Sequence, residues 1–235
     1  MRKVGEVFNC RISGLQPWSA YHYRCHVANS KGQAWAATSI PFVTRGILLP
    51  DWDTTFVGHE QRPWGGAHLV GDTLTVRGSG RDIREPGLTI DNFQYAYLKQ
   101  DGDVTIQTRL KELAADTRGP LTGVMMRENL EAGGKSVSLL YSEREGIRLF
   151  ARALSNGKSS ISRALKIKAP VHLKLVRNST AFTAFASSDG MEWSQVGNPV
   201  LVEMPQAITA GIGITAGNRD SSGNVEATFD EIQVK

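Results

Sequence analysis

Phe182-Thr183-Ala184-Phe185-Ala186-Ser187-Ser188-Asp189-Gly190-Met191-Glu192-Trp193 decides the fold class of this chain. It reads as a strand, a tight Ser-Asp-Gly turn and a second strand opened by a tryptophan. Gly190 supplies the backbone freedom that the turn requires. Trp193 is expected to anchor the hairpin to the core rather than to touch a ligand. Nothing beside the hairpin looks like a reaction centre.

Outward from this hairpin the same period of two recurs. Val104, Ile106, Thr108 and Leu110 share one face, and Thr105, Gln107, Arg109 and Lys111 share the other. That alternation predicts a half-buried strand where Thr108 to Asp116 offers the best helical candidate. Similar runs are predicted over 73–76, 93–98, 123–127, 136–142, 147–154, 172–176, 180–186, 208–215 and 226–234. Gln100-Asp101-Gly102-Asp103, Ala132-Gly133-Gly134, Ser155-Asn156-Gly157 and Ser221-Ser222-Gly223-Asn224 punctuate them as turns. Many short strands with Gly/Asn/Asp turns predict an all-β sandwich or jelly roll. The 235 residues suffice for one large β domain or two smaller ones, and no repeat of fixed period is visible.

Composition excludes several classes. Hydrophobic residues make up 40% of the chain and charged residues 21%, enough apolar material for a packed core. The net charge of +4 is spread over 27 basic and 23 acidic residues, with no concentrated stripe, so no nucleic-acid partner is expected. No apolar run approaches the ~20 residues of a membrane span. The start, Met1 to Glu6, lacks the apolar centre of a signal peptide, so if the parent protein is exported its signal is expected upstream.

Two families resemble the two parts of the chain. Residues 8–44 carry Ile12-Ser13-Gly14-Leu15-Gln16-Pro17-Trp18-Ser19-Ala20-Tyr21-His22-Tyr23-Arg24, then Val27-Ala28-Asn29-Ser30-Lys31-Gly32 and Phe42-Val43-Thr44. They resemble the second half of a fibronectin type III domain. Leu15, Pro17 and Tyr21 match its tyrosine corner, in which a tyrosine hydroxyl bonds backbone just upstream. Such a partial sandwich leaves an apolar face without a partner, so this segment is expected either to pack on the second domain or to self-associate with another copy. In that sandwich Cys10 and Cys25 face each other, which leaves open a cross-sheet disulfide or two buried thiols.

Residues 52–235 resemble a concanavalin A-like jelly-roll family named after a yeast regulator of enolase expression. The matching stretches are Gly78-Ser79-Gly80-Arg81-Asp82-Ile83, Asp91-Asn92-Phe93-Gln94-Tyr95-Ala96-Tyr97, Gly123 to Leu130, Leu173 to Arg177, the Ser188-Asp189-Gly190 turn, Gly211-Ile212-Gly213-Ile214 and Ala227 to Ile232. The family pattern places a tryptophan soon after the Asp82-Ile83 pair, where this chain has Arg84-Glu85-Pro86. The reading is a partial fibronectin type III domain over 1–45, a linker over 46–51 and a jelly roll over 52–235.

A fold of this kind hosts lectins, glycosidases and spacers alike, so function must come from residues. A glycosidase needs two carboxylates ~5–9.5 Å apart. Glu143 and Glu145 alternate but run into Gly146, a solvated turn, and Glu128 beside Arg127 suits an ion pair or a strand-end contact. The five histidines are scattered, and two cysteines alone make no zinc site. The chain therefore reads as non-enzymatic. A carbohydrate-binding surface needs aromatic platforms and polar groups, for which Trp64, Tyr95 and Arg127 are the candidates, Trp64 the better exposed in its Pro-Trp-Gly-Gly loop. For Tyr95, core packing beside Phe93 and Tyr97 is the stronger reading. The resemblance also implies a structural calcium near the paired termini, with Asp230 as its carboxylate. Calcium takes six to eight oxygens and one donor is in sight, so an acid at a strand bend is favoured. The leading function is a non-catalytic, carbohydrate-binding accessory module of an extracellular or cell-surface protein, with polysaccharide or glycan as partner. The alternatives are a structural or protein–protein interaction module and a degenerate glycosidase.

Overall fold

A computed structural model describes residues 10–17, 19–44, 46–58, 65–80, 83, 89–115, 119–217 and 225–235. These residues form strands, turns and irregular segments, with no helix among them. The chain divides into two compact units, Met1–Gly46 and Ile47–Lys235.

The first unit contains β1 (Ala20–Tyr23), β2 (His26–Asn29), β3 (Gly32–Trp35) and β4 (Ile40–Val43). β2 pairs with β3 inside the pairing of β1 with β4, so residues 20–43 form one interrupted antiparallel hairpin. The Tyr21 hydroxyl accepts the Gln16 amide at 2.9 Å, the upstream backbone bond that the Leu-x-Pro-x-x-x-Tyr spacing predicts. Tyr21 and Tyr23 pack against Phe42 on one face. None of the described side chains of this unit is buried, and Tyr23, Val27, Trp35 and Ile40 lie exposed. Cys10 and Cys25 are both free and both exposed. This corrects both readings of the pair, because the two thiols are unbridged and, being open to solvent, are not packed as small hydrophobes.

The described residues of the second unit form fifteen strands. They are β5 (Asp53–Val57), β6 (Gly65–Val70), β7 (Thr73–Gly78), β8 (Phe93–Asp101), β9 (Val104–Ala115), β10 (Leu121–Arg127), β11 (Ser136–Ser142), β12 (Gly146–Arg152), β13 (Ser160–Ile161), β14 (Val171–Asn178), β15 (Ala181–Ser187), β16 (Ser194–Gln195), β17 (Val200–Leu201), β18 (Ala207–Thr215) and β19 (Val225–Val234). One sheet has the order β13-β12-β11-β10-β18-β8-β5. The other has the order β16-β15-β14-β9-β19-β7-β6, with β17 also on β15. The late strands β18 and β19 lie inside their sheets, so the sandwich closes only when distant parts of the chain meet. Ile47 and Leu48, in the stretch read as linker, attach to this unit. The Ile47 amide donates to His68 Nδ1, its carbonyl accepts the Leu69 amide, and Leu48 packs on the core.

Alternation decides what each sheet buries. In β15, Phe182, Ala184 and Ala186 point into the layer between the sheets, while Ala181, Thr183 and Phe185 point away. The same layer takes Val104, Ile106 and Leu110 of β9, Leu173 and Leu175 of β14 and Ile212 and Ile214 of β18. The seven-stranded sheet is apolar on its second face too. Phe93, Tyr95, Tyr97, Met125, Leu140 and Phe150 form a separate cluster there, closed in part by Ile83 and Ile161. That double burial is why β10 and β11 are buried at every position.

The opening hairpin forms as its sequence dictates. β15 turns at Ser188 to Gly190 and returns as β16, with Ala186 opposite Ser194. Asp189 Oδ1 accepts the amides of Met191 and Glu192 at 2.8 and 2.9 Å and the Ser187 hydroxyl at 2.9 Å. Those amide bonds, the Glu192 one foremost, bring its carboxyl down to about 2. Gly190 has φ +75°, and a Cβ there would lie 3.0 Å from the His172 ring. Gly190→Ala is therefore expected to cost about 1–2 kcal/mol from backbone strain, plus the displacement of His172. Gly71→Ala, at φ +57° with open space around it, isolates the strain alone. Parallel denaturant titrations measure both, and equal losses would refute the His172 contribution.

Candidate functional site

Trp64 lies outside the described residues. Tyr95 is 0% exposed. Its ring stacks on Tyr97 at 5.2 Å, its hydroxyl donates to the Met125 carbonyl at 3.1 Å, and burial pushes its phenol upward. As a ligand platform it is therefore corrected to core, because outward-facing residues of a doubly covered sheet are not solvated.

Arg127 is also 0% exposed and is corrected in the same way. The pairing of β10, β11 and β12 sets Ser136 between Arg127 and Arg152. Both guanidiniums converge over that small residue on the carboxylate of Asp91, just before β8. Arg127 Nη1 donates to Asp91 Oδ2 at 2.5 Å, and Arg152 donates to Oδ2 and Oδ1 at 2.7 Å each. The remaining donors take loop carbonyls. Arg127 Nη2 donates to Glu131 at 2.7 Å, and Arg152 Nε to Gly157 at 3.0 Å. This is a structural clasp over the 128–135 and 153–157 turns, with no polar edge left for a ligand. Glu128 makes a strand-end contact, accepting the Lys135 amide and the Ser155 hydroxyl at 2.8 Å each.

Asp230 is not a free calcium donor. Arg109 holds both of its oxygens, Nε to Oδ1 at 2.8 Å and Nη2 to Oδ2 at 2.6 Å, and those bonds bring its carboxyl below the ordinary value. The strand is irregular here, as the bend reading expects. β19 shifts register between Asp230 and Gln233, with Glu231 at φ +52°. Among the described residues no three His, Cys, Asp or Glu side chains gather where they could hold a metal ion.

An open polar and aromatic surface forms instead on the outward face of the eight-stranded sheet. Register aligns Gln195, Phe185, Lys174, Gln107 and Gln233 in one row across β16, β15, β14, β9 and β19. At ~4.8 Å per strand the row is roughly 19 Å wide. Phe185, Lys174 and Gln107 are half-buried, while Gln195 and Gln233 are exposed. Trp193, half-buried, brings its indole beside the row, with the Lys174 ammonium 3.7 Å from its ring centre and 5.2 Å from that of Phe185. A second row, Ser187, His172, Arg109 and Asp230, borders the first. His172 meets Trp193 edge-on at 6.3 Å, and its Nδ1 lies 3.7 Å from Glu231.

The row is legible only through pairing. His172 and Lys174 alternate outward in sequence, as does Phe185, but nothing local says that Lys174 lies opposite both Phe185 and Gln107. Trp193, read as an anchor, does pack on Lys174, yet it stays partly open to solvent.

No family model and no curated protein matches the chain. Among solved structures it is similar to a functionally unknown protein from Saccharomyces cerevisiae, at 16% identity over 77% of this chain and 95% of that one, with a TM-score of 0.58. It is also similar to a glycoside hydrolase family protein from Mycobacterium thermorestibile, at 16% identity over 81% of this chain and 95% of that one, with a TM-score of 0.53. A carbohydrate-binding module from Bacillus subtilis aligns at 13% identity over 79% of this chain and 95% of its own, with a TM-score of 0.49. At these identities the likeness is one of fold. The large antiparallel sheets and the first two neighbours together give the chain an all-β, jelly-roll sandwich architecture.

Proposed function

We propose that this chain is a non-catalytic accessory module of an extracellular or cell-surface protein, and that its jelly roll binds glycan chains. The observation that carries this reading is the Gln195-Phe185-Lys174-Gln107-Gln233 row with Trp193 beside it. Two aromatic rings offer apolar faces to the C–H side of a sugar, Gln107 and Gln233 offer amide donors and acceptors to its hydroxyls, and Gln195, whose Nε2 donates to the Gly197 carbonyl at 2.8 Å, offers its Oε1. A row ~19 Å wide on an open sheet suits an extended chain lying flat rather than a small molecule in a cleft.

The non-catalytic part rests on the carboxylates. A general acid needs a raised pKa, while Asp189 and Asp230 are both displaced downward. Asp91 and Asp230 are occupied by guanidiniums. Glu143 lies exposed on a turn, and Glu145 is near Arg148 at 3.4 Å. A structural spacer is the second reading, favoured by the sealing of Phe93, Tyr95 and Tyr97 in a core. We further read the first unit as the C-terminal half of a fibronectin type III domain, supported by the Tyr21–Gln16 bond, with its exposed Tyr23 and Ile40 face open to a second copy.

Affinity electrophoresis of the whole chain through gels containing soluble polysaccharides tests the reading. Retardation by at least one polysaccharide is expected. Trp193→Ala is expected to weaken it by about tenfold, since covering a large apolar side chain contributes on the order of 1.5 kcal/mol or more. Its melting temperature should stay within a few degrees, because Trp193 is only half-buried. Migration indifferent to every polysaccharide would leave the spacer reading standing.

A further inference from the structure

Lys174 carries information beyond a generic sugar surface. It is half-buried in the middle of the row, against two rings, and no carboxylate lies within ion-pair distance of it among the described residues. Every neighbouring cation is differently placed. Arg109 is held by Asp230 and approached by Glu231, and Lys111 Nζ lies 3.8 Å from Asp230. Burial alone brings the Lys174 amine below the ordinary lysine value, with no opposing attraction from an acid. A desolvated ammonium costs stability unless something compensates it, and cation–π contact with Trp193 and Phe185 compensates only in part.

We infer that Lys174 is the specificity-determining residue of the glycan row and that it selects acidic glycans, meaning chains bearing a carboxylate or sulfate group. The inference rests on the glycan-binding reading above. An anionic group seated on Lys174 would supply the missing counter-charge. The sugar ring bearing it would lie beside Phe185 and Trp193, and Gln107 and Gln195 would flank it on either side. Net charge on the two rows agrees in sign. Lys174 and Arg109 stand against Asp230, leaving one positive charge. A neutral glycan would leave the ammonium as it is, so affinity should rise with the charge on the sugar.

The test compares polygalacturonate with its methyl-esterified form, which shares the backbone and lacks the charge. Alginate, dextran sulfate, xylan and dextran extend the panel, and the two kinds of acid distinguish carboxylate from sulfate. The whole chain and its Lys174→Met and Lys158→Met variants are compared by affinity electrophoresis at fixed salt. Methionine keeps an apolar stem against the rings, so Lys174→Met is expected to fold with an unchanged or higher melting temperature. It should lose about tenfold in affinity for acidic chains, the worth of one charge-assisted contact, and several-fold less than that for neutral ones. Lys158, exposed in the segment between β12 and β13 of the other sheet, controls for net charge. Equal binding of charged and esterified chains, or equal loss in both variants, would overturn the inference while leaving glycan binding intact. No binding to any chain would instead remove the reading on which it rests.

Discussion

Asp91→Ala is expected to lower the unfolding free energy of the second unit by about 3–5 kcal/mol, because it leaves two buried guanidiniums without a counter-charge. Asp91 is 2% exposed, and Arg127 and Arg152 are no more open. The clasp already carries one net positive charge, which carbonyls of the 128–135 and 153–157 turns solvate. Removing the carboxylate makes it two. At about 2–4 °C per kcal/mol for a domain of this size, the melting temperature should fall by roughly 6–20 °C. Asp230→Ala is the internal comparison. It breaks a bidentate arginine pair of similar length, but Arg109 remains 37% exposed and can be rehydrated. Its loss should stay within about 1 kcal/mol. Replacing Asp91, Arg127 and Arg152 together by apolar residues should recover much of the single-variant loss, since no buried charge then remains. Denaturant titration of the three variants decides the matter. A loss at Asp91 no larger than at Asp230 would show that water reaches the clasp.

The strand pattern is legible in the sequence because alternation is a local property. Ile212 and Ile214 face the core between the sheets, and Gly211 and Gly213 alternate with them. The glycines have their own cause, which alternation does not reveal. A Cβ at Gly211 would lie 2.1 Å from the Ala96 carbonyl oxygen, and one at Gly213 would lie 3.2 Å from the Phe93 ring. Burial on the second face of a sheet is not local, which is why Tyr95 and Arg127 look like ligand contacts and are core. In sequence an outward residue on a sandwich strand is solvated by default. Only the second apolar cluster, with Ile83 and Ile161 against it, reverses that. Asp230 fails as a calcium donor for a related reason. Its partner Arg109 lies 121 residues away in sequence, and register alone brings them together.

Register is also what makes Phe229→Ala the other large effect. Phe229 is 0% exposed in β19, opposite Leu74 of β7 and Leu110 of β9. Truncation removes a ring from the close-packed layer between the sheets, and cores of this kind lose about 3–5 kcal/mol for Phe→Ala. The position has a second consequence. β19 shifts register against β9 between Thr228 and Phe229 and again between Asp230 and Gln233, so the ring sits between two irregularities. Side chains alternate faces, so a slip of one residue there would turn Asp230 inward and release Arg109 from the border of the Gln195-to-Gln233 row. Phe229→Leu keeps an apolar anchor, so it should hold the register and lose less than the alanine variant. Chemical denaturation is expected to show the larger loss for Phe229→Ala, and hydrogen exchange should show faster opening of β19 amides in that variant alone. If the two variants lose equally and β19 exchanges alike in both, the ring fills space without fixing the strand. Trp193→Ala and Phe229→Ala thus separate two demands on one sheet. The first acts on the outward face and the binding proposed for it, and the second acts on the inward face, stability and the geometry from which that outward face is built.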